Sequence, residues 1–423
     1  MRKIEKIIKY KFKEKNTIGP EERKAVFRVL KSGKLSGFVA DSDKTFLGGE
    51  EVKKFEKICK KYFKVKNAIA VNSWTSGLIT AVGALDVEPG DEIITTPWTM
   101  CATVTAIIHW NCIPVFVDIE NETFNIDPKK IEKKITKKTK AIIAVDIFGH
   151  PCDFEKIKKI AIKYNIKIIL DSAHAIGSFY KGKKTGTYAD IGGYSLNYHK
   201  HINTGEGGIL VTNNDNYALR MRLIRNHGEA VVSGFKIKKL NNIVGYNFRL
   251  GEIESAIGYE QIKKLDKILL KRQKQANYLI SGLKNFEGII TPKIQKKCTH
   301  SFYIIPLILN LKKIKREEVI QRLNKLGVQG LYNGYTNVHL LPMFQKKIAY
   351  GSKGFPWSLC EGINKNISYK KGICPVAEDL HKNKLISFEV CLFDLKKIDI
   401  VLILRAFKEV WKYYGLKFNE KKT

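Results

Sequence analysis

Residues 167–175 read Lys167-Ile168-Ile169-Leu170-Asp171-Ser172-Ala173-His174-Ala175, and the fold can be read outward from this run. An apolar, β-branched segment that stops at an aspartate has the character of a buried strand whose carboxyl end meets something polar. Similar apolar runs recur at 68–71, 92–96, 114–119, 141–148, 192–196 and 209–212. Helical patterns lie before or between most of them, at 51–63, 76–85, 100–110 and 154–164, and Pro89-Gly90-Asp91 and Gly149-His150-Pro151 supply turns. Strands alternating with helices of this length predict an α/β architecture with a mostly parallel sheet covered on both faces.

Beyond Arg249 a helical pattern runs from Glu252 to about Lys284, with Ile253, Ala256, Ile257, Ile262, Leu265, Ile268 and Leu269 at three-to-four spacing. From about residue 290 the segments shorten, and the chain closes with an amphipathic helix near 397–414. This predicts an N-terminal arm (1–45), a large α/β domain (46–285) and a smaller C-terminal α+β domain (286–423). A chain of 423 residues is long enough for two cores of that size.

Composition removes several function classes. No window approaches the roughly 18 uninterrupted apolar residues of a membrane span. The basic start, MRKIEKIIKYKFKEK, has no apolar stretch or small-residue cleavage site and does not read as a secretory signal, so a cytoplasmic protein is expected. The eight cysteines (Cys59, Cys101, Cys112, Cys152, Cys298, Cys360, Cys374 and Cys391) form no CxxC pair and are expected to be free thiols. The nine histidines show no metal-ligand spacing, and His199 and His201, which flank a lysine, are poorly placed to chelate, so no metal is expected. The net charge of +34 raises the possibility of a nucleic-acid binder. The lysines, however, are spread through amphipathic stretches such as 127–140 and 263–274, with no zinc finger or aromatic-interleaved RNA motif beside them. Solvated helix faces are the simpler reading.

In open parallel sheets ligands sit beyond the carboxyl ends of strands, and four such ends carry chemistry. After residues 68–71 comes Asn72-Ser73-Trp74-Thr75-Ser76-Gly77, small hydroxyls opening a helix, which suits a phosphate cradle or a plain N-cap. After 92–96 comes Pro97-Trp98-Thr99, whose tryptophan could stack on a ring or fill the core. Asp171, at the end of an apolar strand, needs a cationic partner or strong hydrogen bonds; a protonated pyridine nitrogen would serve, and so would a helix cap. Last comes Ser195-Leu196-Asn197-Tyr198-His199-Lys200-His201-Ile202-Asn203-Thr204-Gly205-Glu206-Gly207-Gly208. Its lysine follows a buried strand rather than lying in a periodic helix, and desolvation there would lower its pKa.

Cradle, aromatic, Asp-x-x-His and then a lysine 29 residues after the Asp is the order found in fold-type I enzymes that use pyridoxal 5′-phosphate (PLP). More narrowly, the chain resembles the DegT/StrS group of nucleotide-sugar aminotransferases, from Gly48-Gly49-Glu50-Glu51-Val52 through Cys374-Pro375-Val376-Ala377-Glu378. The most specific pieces are residues 195–208 and Gly245-Tyr246-Asn247-Phe248-Arg249-Leu250-Gly251-Glu252-Ile253. The resemblance implies that Lys200 carries PLP as a Schiff base and moves the proton. It implies that Asp171 pairs with the pyridinium nitrogen and that His174 lies near the ring hydroxyl. Trp98 would stack on the ring, Thr75, Ser76 and Ser195 would bind the phosphate, and Asn247 would reach it from the neighbouring subunit of a homodimer. His339 would lie near the sugar.

The implied reaction moves an amino group, from glutamate, onto a keto group of a nucleotide-linked deoxysugar, as in polysaccharide biosynthesis. The alternatives are the same chemistry on a keto-cyclitol, a PLP-dependent sugar dehydratase, or a basic nucleic-acid-binding regulator. One relative, a dehydratase, carries His in place of the Schiff-base lysine; the lysine at position 200 fits transamination. Two departures stand out: Trp74 replaces a small residue beside the cradle, and residues 230–240 lengthen the stretch between Lys200 and Asn247.

Overall fold

The computed structural model describes residues 5–360 and 367–418; the side chain of Cys360, expected to be a free thiol, lies outside the described residues. Seven strands form the main sheet: β1 (Asn67–Val71), β2 (Glu92–Thr95), β3 (Ile113–Phe116), β4 (Thr139–Val145), β5 (Lys167–Asp171), β8 (Ile191–Ser195) and β9 (Gly208–Thr212), with a small hairpin, β6 (Phe179–Tyr180) and β7 (Lys183–Lys184), between β5 and β8. Their order across the sheet is β1-β9-β8-β5-β4-β2-β3. Only β9 runs against its neighbours, so the sheet is mostly parallel as expected. All seven expected strands are present, and the expected helices appear at Glu50–Phe63, Trp74–Ala84, Ala102–His109 and Phe154–Lys163.

β5 lies at the centre of the sheet, between β4 and β8. The segments that leave the carboxyl ends of β1, β2, β5 and β8 therefore converge on one rim. Ile168–Leu170 and Ile142–Val145 are buried on both faces, because helices cover the sheet above and below.

The 32-residue helix Glu252–Leu283 runs from this sheet to a second, four-stranded one. That sheet comprises β10 (Ile289–Ile290), β11 (Ile305–Leu309), β12 (Leu331–Tyr332) and β13 (Leu385–Phe388), in the order β10-β11-β13-β12 and antiparallel throughout. The helix Lys397–Tyr413 packs on it, and Ile8 and Phe12 of the N-terminal segment join the same core. Glu252, buried at the start of the long helix, accepts hydrogen bonds from the backbone N–H groups of Glu51 (2.9 Å) and Val52 (3.2 Å). It thus caps the helix Glu50–Phe63 through its free N-terminal donors. No described helix is long and apolar enough to cross a membrane.

Residues 226–247 leave the main fold and return to it. Tyr246 N–H donates to Ile224 O (2.8 Å) and Phe248 N–H to Arg225 O (3.0 Å), which closes the segment and fixes the register of Asn247. Phe46, Leu223, Val231 and Ile243 form a small separate core beneath it.

Arg225 ties three elements together. It is fully buried, donates to Glu56 Oε1 at 2.6 Å and to Ala70 O at 3.0 Å, and Glu56 also accepts from Ala70 N at 2.9 Å. Removing the guanidinium would leave a buried carboxylate without its charge partner. Arg225→Met should lower stability by about 3–5 kcal/mol in urea titration of the apoprotein. Adding Glu56→Gln should recover part of that loss; a single-variant loss below about 1 kcal/mol would show that the pair does not hold these elements.

Candidate active site

The rim where β1, β2, β5 and β8 end encloses a cavity of about 300 Å³. Ser73, Trp74, Thr75, Thr103, Asp171, His174, Ser195 and Lys200 all line it. Four strand ends distant in sequence thus contribute to one site.

Lys200 follows β8 in a turn whose backbone is held by Lys200 N–H to Asn197 O (2.9 Å) and Leu196 N–H to Gly207 O (2.9 Å). Among the described residues it is the one lysine that is buried. Burial pushes its amine down to about 7, while the charge of Asp171 acts in the opposite direction. Its Nζ lies 4.2 Å from the centre of the Tyr303 ring. An amine held this way is largely neutral, and therefore nucleophilic, just above neutral pH.

Asp171 is the last residue of β5 and is buried. Its Oδ1 accepts from the Trp74 indole Nε1 at 2.7 Å and from Ala173 N–H at 3.2 Å, and its Oδ2 from Thr103 Oγ1 at 2.7 Å. Burial raises its carboxyl above the usual carboxylate range; the bonds from Thr103 and Trp74 oppose that rise. Among the described residues no Lys or Arg forms an ion pair with it. A buried carboxylate with neutral donors and no ion pair is suited to a cationic ligand atom.

His174 stacks on Tyr303 with ring centres 4.1 Å apart. Phe148 N–H donates to its Nδ1 (3.3 Å), so the neutral ring carries its proton on Nε2, 3.3 Å from the Tyr335 hydroxyl. Burial holds the ring well below its ordinary pKa, with the charge of Lys200 adding to the effect. His174 is thus a neutral donor facing the cavity.

At the other end lie the hydroxyls. Ser73 caps the helix Trp74–Ala84, accepting from Ser76 N–H at 3.0 Å, and Thr75 and Ser195 line the cavity beside it. Ser76 differs from expectation: its hydroxyl lies 3.0 Å from Ser73 Oγ and does not line the cavity. It supports the cradle, and Ser73 takes the exposed place.

Two expected site residues lie elsewhere. Trp98 is fully buried, donates its indole N–H to Tyr335 O (2.7 Å) and packs edge-on against Phe124 and Phe148. The chain after β2 turns its aromatic into the core, so the ring-stacking role expected of Trp98 does not match its position; Met100 lines the cavity instead. His339 is also fully buried, with Nε2 3.0 Å from Glu378 Oε1, and it does not line this cavity. Asn247 is exposed and lies outside its own chain's cavity; its backbone O accepts from Asn72 Nδ2 at 3.3 Å, which fastens its segment to the cradle loop.

Sequence reading missed Thr103, Tyr303, Tyr335 and Lys15. Thr103 sits four residues after Thr99, and their hydroxyls lie 2.9 Å apart, a faint helical-spacing signal. The tyrosines and Lys15 come from distant parts of the chain. Lys15 donates from its Nζ to the carbonyl oxygens of Tyr198 and Lys200, and burial lowers its amine to about 8.

A buried lysine and a buried carboxylate beyond the carboxyl ends of a mostly parallel sheet, with a hydroxyl-lined helix N-terminus beside them, define a PLP-dependent enzyme of fold type I. The chain belongs to the DegT/DnrJ/EryC1/StrS aminotransferase family, which matches residues 28–363. It is 34% identical to GDP-perosamine synthase from Caulobacter vibrioides over 70% of this chain and 79% of that protein. It is 32% identical to the spore coat polysaccharide biosynthesis protein SpsC from Bacillus subtilis, over 80% and 86% of the two chains. The structure of PseC from Helicobacter pylori, an aminotransferase involved in the biosynthesis of pseudoaminic acid, superposes with a TM-score of 0.77 at 27% identity, covering 96% of this chain and 99% of that one. The cofactor is PLP, and the residues present fit it: hydroxyls and free helix donors for a phosphate, an unpaired carboxylate for a ring nitrogen and a neutral amine for its aldehyde.

Borohydride treatment of the holoprotein should leave the cofactor's mass on the peptide containing Lys200, as read by mass spectrometry. Because burial lowers the amine's pKa, the protonated, unreactive form gains as pH falls through about 7. The rate at which apoprotein captures PLP should therefore rise across that pH. A midpoint near the ordinary lysine value, about 10.4, or cofactor on another lysine would contradict the assignment.

Proposed function

We propose that this aminotransferase moves an amino group from glutamate onto the keto carbon of a nucleotide-linked deoxysugar, working in the cytosol as a homodimer. The observation that carries the reading is the single cavity in which Lys200, its amine lowered by burial to about 7, and Asp171, a carboxylate without an ion pair, lie together. The names of the relatives support the acceptor class. PLP, when bound, supplies an electron sink for the carbanion that forms as a proton leaves the amino-bearing carbon. Asp171 would offer the negative charge that favours a protonated ring nitrogen, and His174 Nε2, which lies 3.3 Å from the Tyr335 hydroxyl, would be the donor for the ring hydroxyl. Ser73, Thr75 and Ser195 would hold the phosphate with the N-terminal donors of the helix Trp74–Ala84. Lys200, buried and with its pKa near neutrality, takes and returns the proton.

The acceptor class is tested by amino-transfer assays against nucleotide-linked 4-keto and 3-keto sugars, free keto-cyclitols and simple keto acids, with glutamate as donor. Turnover should be confined to the nucleotide-linked sugars. With 75 Lys and Arg against 41 Asp and Glu, added salt should raise KM for a diphosphate-linked substrate and leave kcat nearly unchanged, since screening acts on encounter. Efficient amination of free cyclitols with no turnover of nucleotide sugars would overturn this reading.

The shared site is tested by mixing. If Asn247 serves the neighbouring chain's cavity, combining inactive Lys200→Ala with a crippled Asn247→Ala variant rebuilds one intact site in each hybrid dimer. Random exchange then yields about a quarter of wild-type activity, because half the dimers are hybrids with one of two sites intact. No recovery after verified subunit exchange would place Asn247's action within its own chain.

A further inference from the structure

Trp74 is too bulky for a cradle residue, yet the structure has made room for it. It is the first residue of the helix Trp74–Ala84 and is buried against Gly193 of β8 and Gly208, the first residue of β9. A Cβ at Gly193 would lie 2.3 and 2.4 Å from two atoms of its six-membered ring, and one at Gly77 would lie 2.7 Å from another. A Cβ at Gly208 would lie 2.9 Å from the Trp74 backbone. Contacts that short do not occur, so a side chain at Gly77 or Gly193 would displace the indole, the one at Gly193 also meeting Ile209 O at 2.3 Å. One at Gly208 would push on the start of the helix. The glycines form a seat, and the seated indole points its N–H at Asp171 Oδ1, 2.7 Å away.

We propose that Trp74 is a positioning residue for Asp171, its indole N–H fixing the carboxylate and keeping it the charged partner of the cofactor's ring nitrogen. Asp171 has about four acceptor positions. Trp74 and Ala173 N–H occupy two on Oδ1 and Thr103 occupies one on Oδ2, which leaves one for the ring. Thr103 is itself placed by Thr99, so each carboxylate oxygen is held by a separate strand-end segment, Trp74 after β1 and Thr103 after β2. The rotation of the carboxylate is thereby fixed before any ligand arrives. The donors also offset the cost of keeping a buried carboxylate charged; with one fewer, burial shifts the balance towards the neutral acid, which offers the ring nitrogen no anion. The inference rests on PLP as cofactor and is independent of which sugar is aminated.

The test compares Trp74→Phe with wild type in binding, without turnover. Phenylalanine fills most of the seat and has no N–H. The probes are pyridoxine 5′-phosphate, which lacks the aldehyde and cannot react with Lys200, and its 1-deaza analogue, which also lacks the ring nitrogen. Both are titrated against apoprotein by equilibrium dialysis. Losing a hydrogen bond to a charged group should weaken pyridoxine 5′-phosphate about tenfold in Trp74→Phe. The deaza analogue, which cannot use Asp171, should change less than about twofold, and Asp171→Asn should show the same selective loss. The same titration with β-(3-benzothienyl)alanine at position 74 keeps the shape of the indole and replaces its N–H with sulfur. It should repeat the selective loss, and it serves if the phenylalanine variant does not fold. An equal loss for both probes would make Trp74 a packing residue only, and no loss for either would show that its hydrogen bond does not govern Asp171. Either outcome overturns the proposal, while the cofactor assignment stands on the Lys200 adduct.

Discussion

A carboxylate buried at the end of the central strand, with hydrogen-bond donors but no ion pair, is the constraint around which this enzyme is arranged. Moving such a group out of water is costly unless its charge is met by well-placed donors or a cation. Asp171 takes one donor from the segment after β1, one from the segment after β2 and one from its own turn. Those segments can meet there because β5 lies mid-sheet and every strand that delivers a site residue runs the same way. The crossovers that make the sheet parallel are therefore also what brings the site together.

Lys200 poses the opposite electrostatic problem in the same cavity. Asp171 favours its charged form and burial favours the neutral one; burial prevails and leaves the amine near neutrality. Lys15 adds to that balance from beneath, since its ammonium occupies the carbonyls of the Lys200 turn and its charge further disfavours a second cation nearby. The cavity thus sets a carboxyl group, with its hydrogen-bond donors opposing the rise that burial causes, beside an amine lowered to about 7, the arrangement in which one can pair with a ring cation while the other accepts a proton.

Much of this was legible in the sequence because it is local. The β-branched runs marked all seven strands of the main sheet, and the residues at or within a few positions of their ends included Lys200, Asp171, Thr75 and Ser195. Trp98 and Trp74 show where local reading stops. Both are tryptophans within a few residues of a strand end, and only the path of the backbone decides that Trp98 turns into the core while Trp74 turns beneath the site. The place of His339, in the short helical turn Val338–Leu340 with its ring against Glu378, was likewise out of reach of local reading. Tyr335 reaches His174 across 161 residues and Lys15 reaches Lys200 across 185, separations at which no periodicity carries a signal.

The large positive charge belongs to a different scale of the problem. Many of the cations that do find a carboxylate are well exposed, as in Lys9–Glu5 and Lys163–Glu132, both at 2.7 Å, and pairs of that kind contribute about 0–1 kcal/mol each. The buried Arg225–Glu56 pair, by contrast, links a strand and two helices within the interior. Exposed pairs of that kind therefore add little to the fold and lie outside the cavity where the chemistry occurs. Their summed field extends about 8–10 Å at ordinary ionic strength, far enough to act on an anionic substrate before contact. Inside the cavity, shielding by water is lost and single groups decide: one amine, one carboxylate and the donors that orient it. The net charge of +34 acts on how a substrate arrives, and what happens to it then depends on the electrostatics of a few buried side chains.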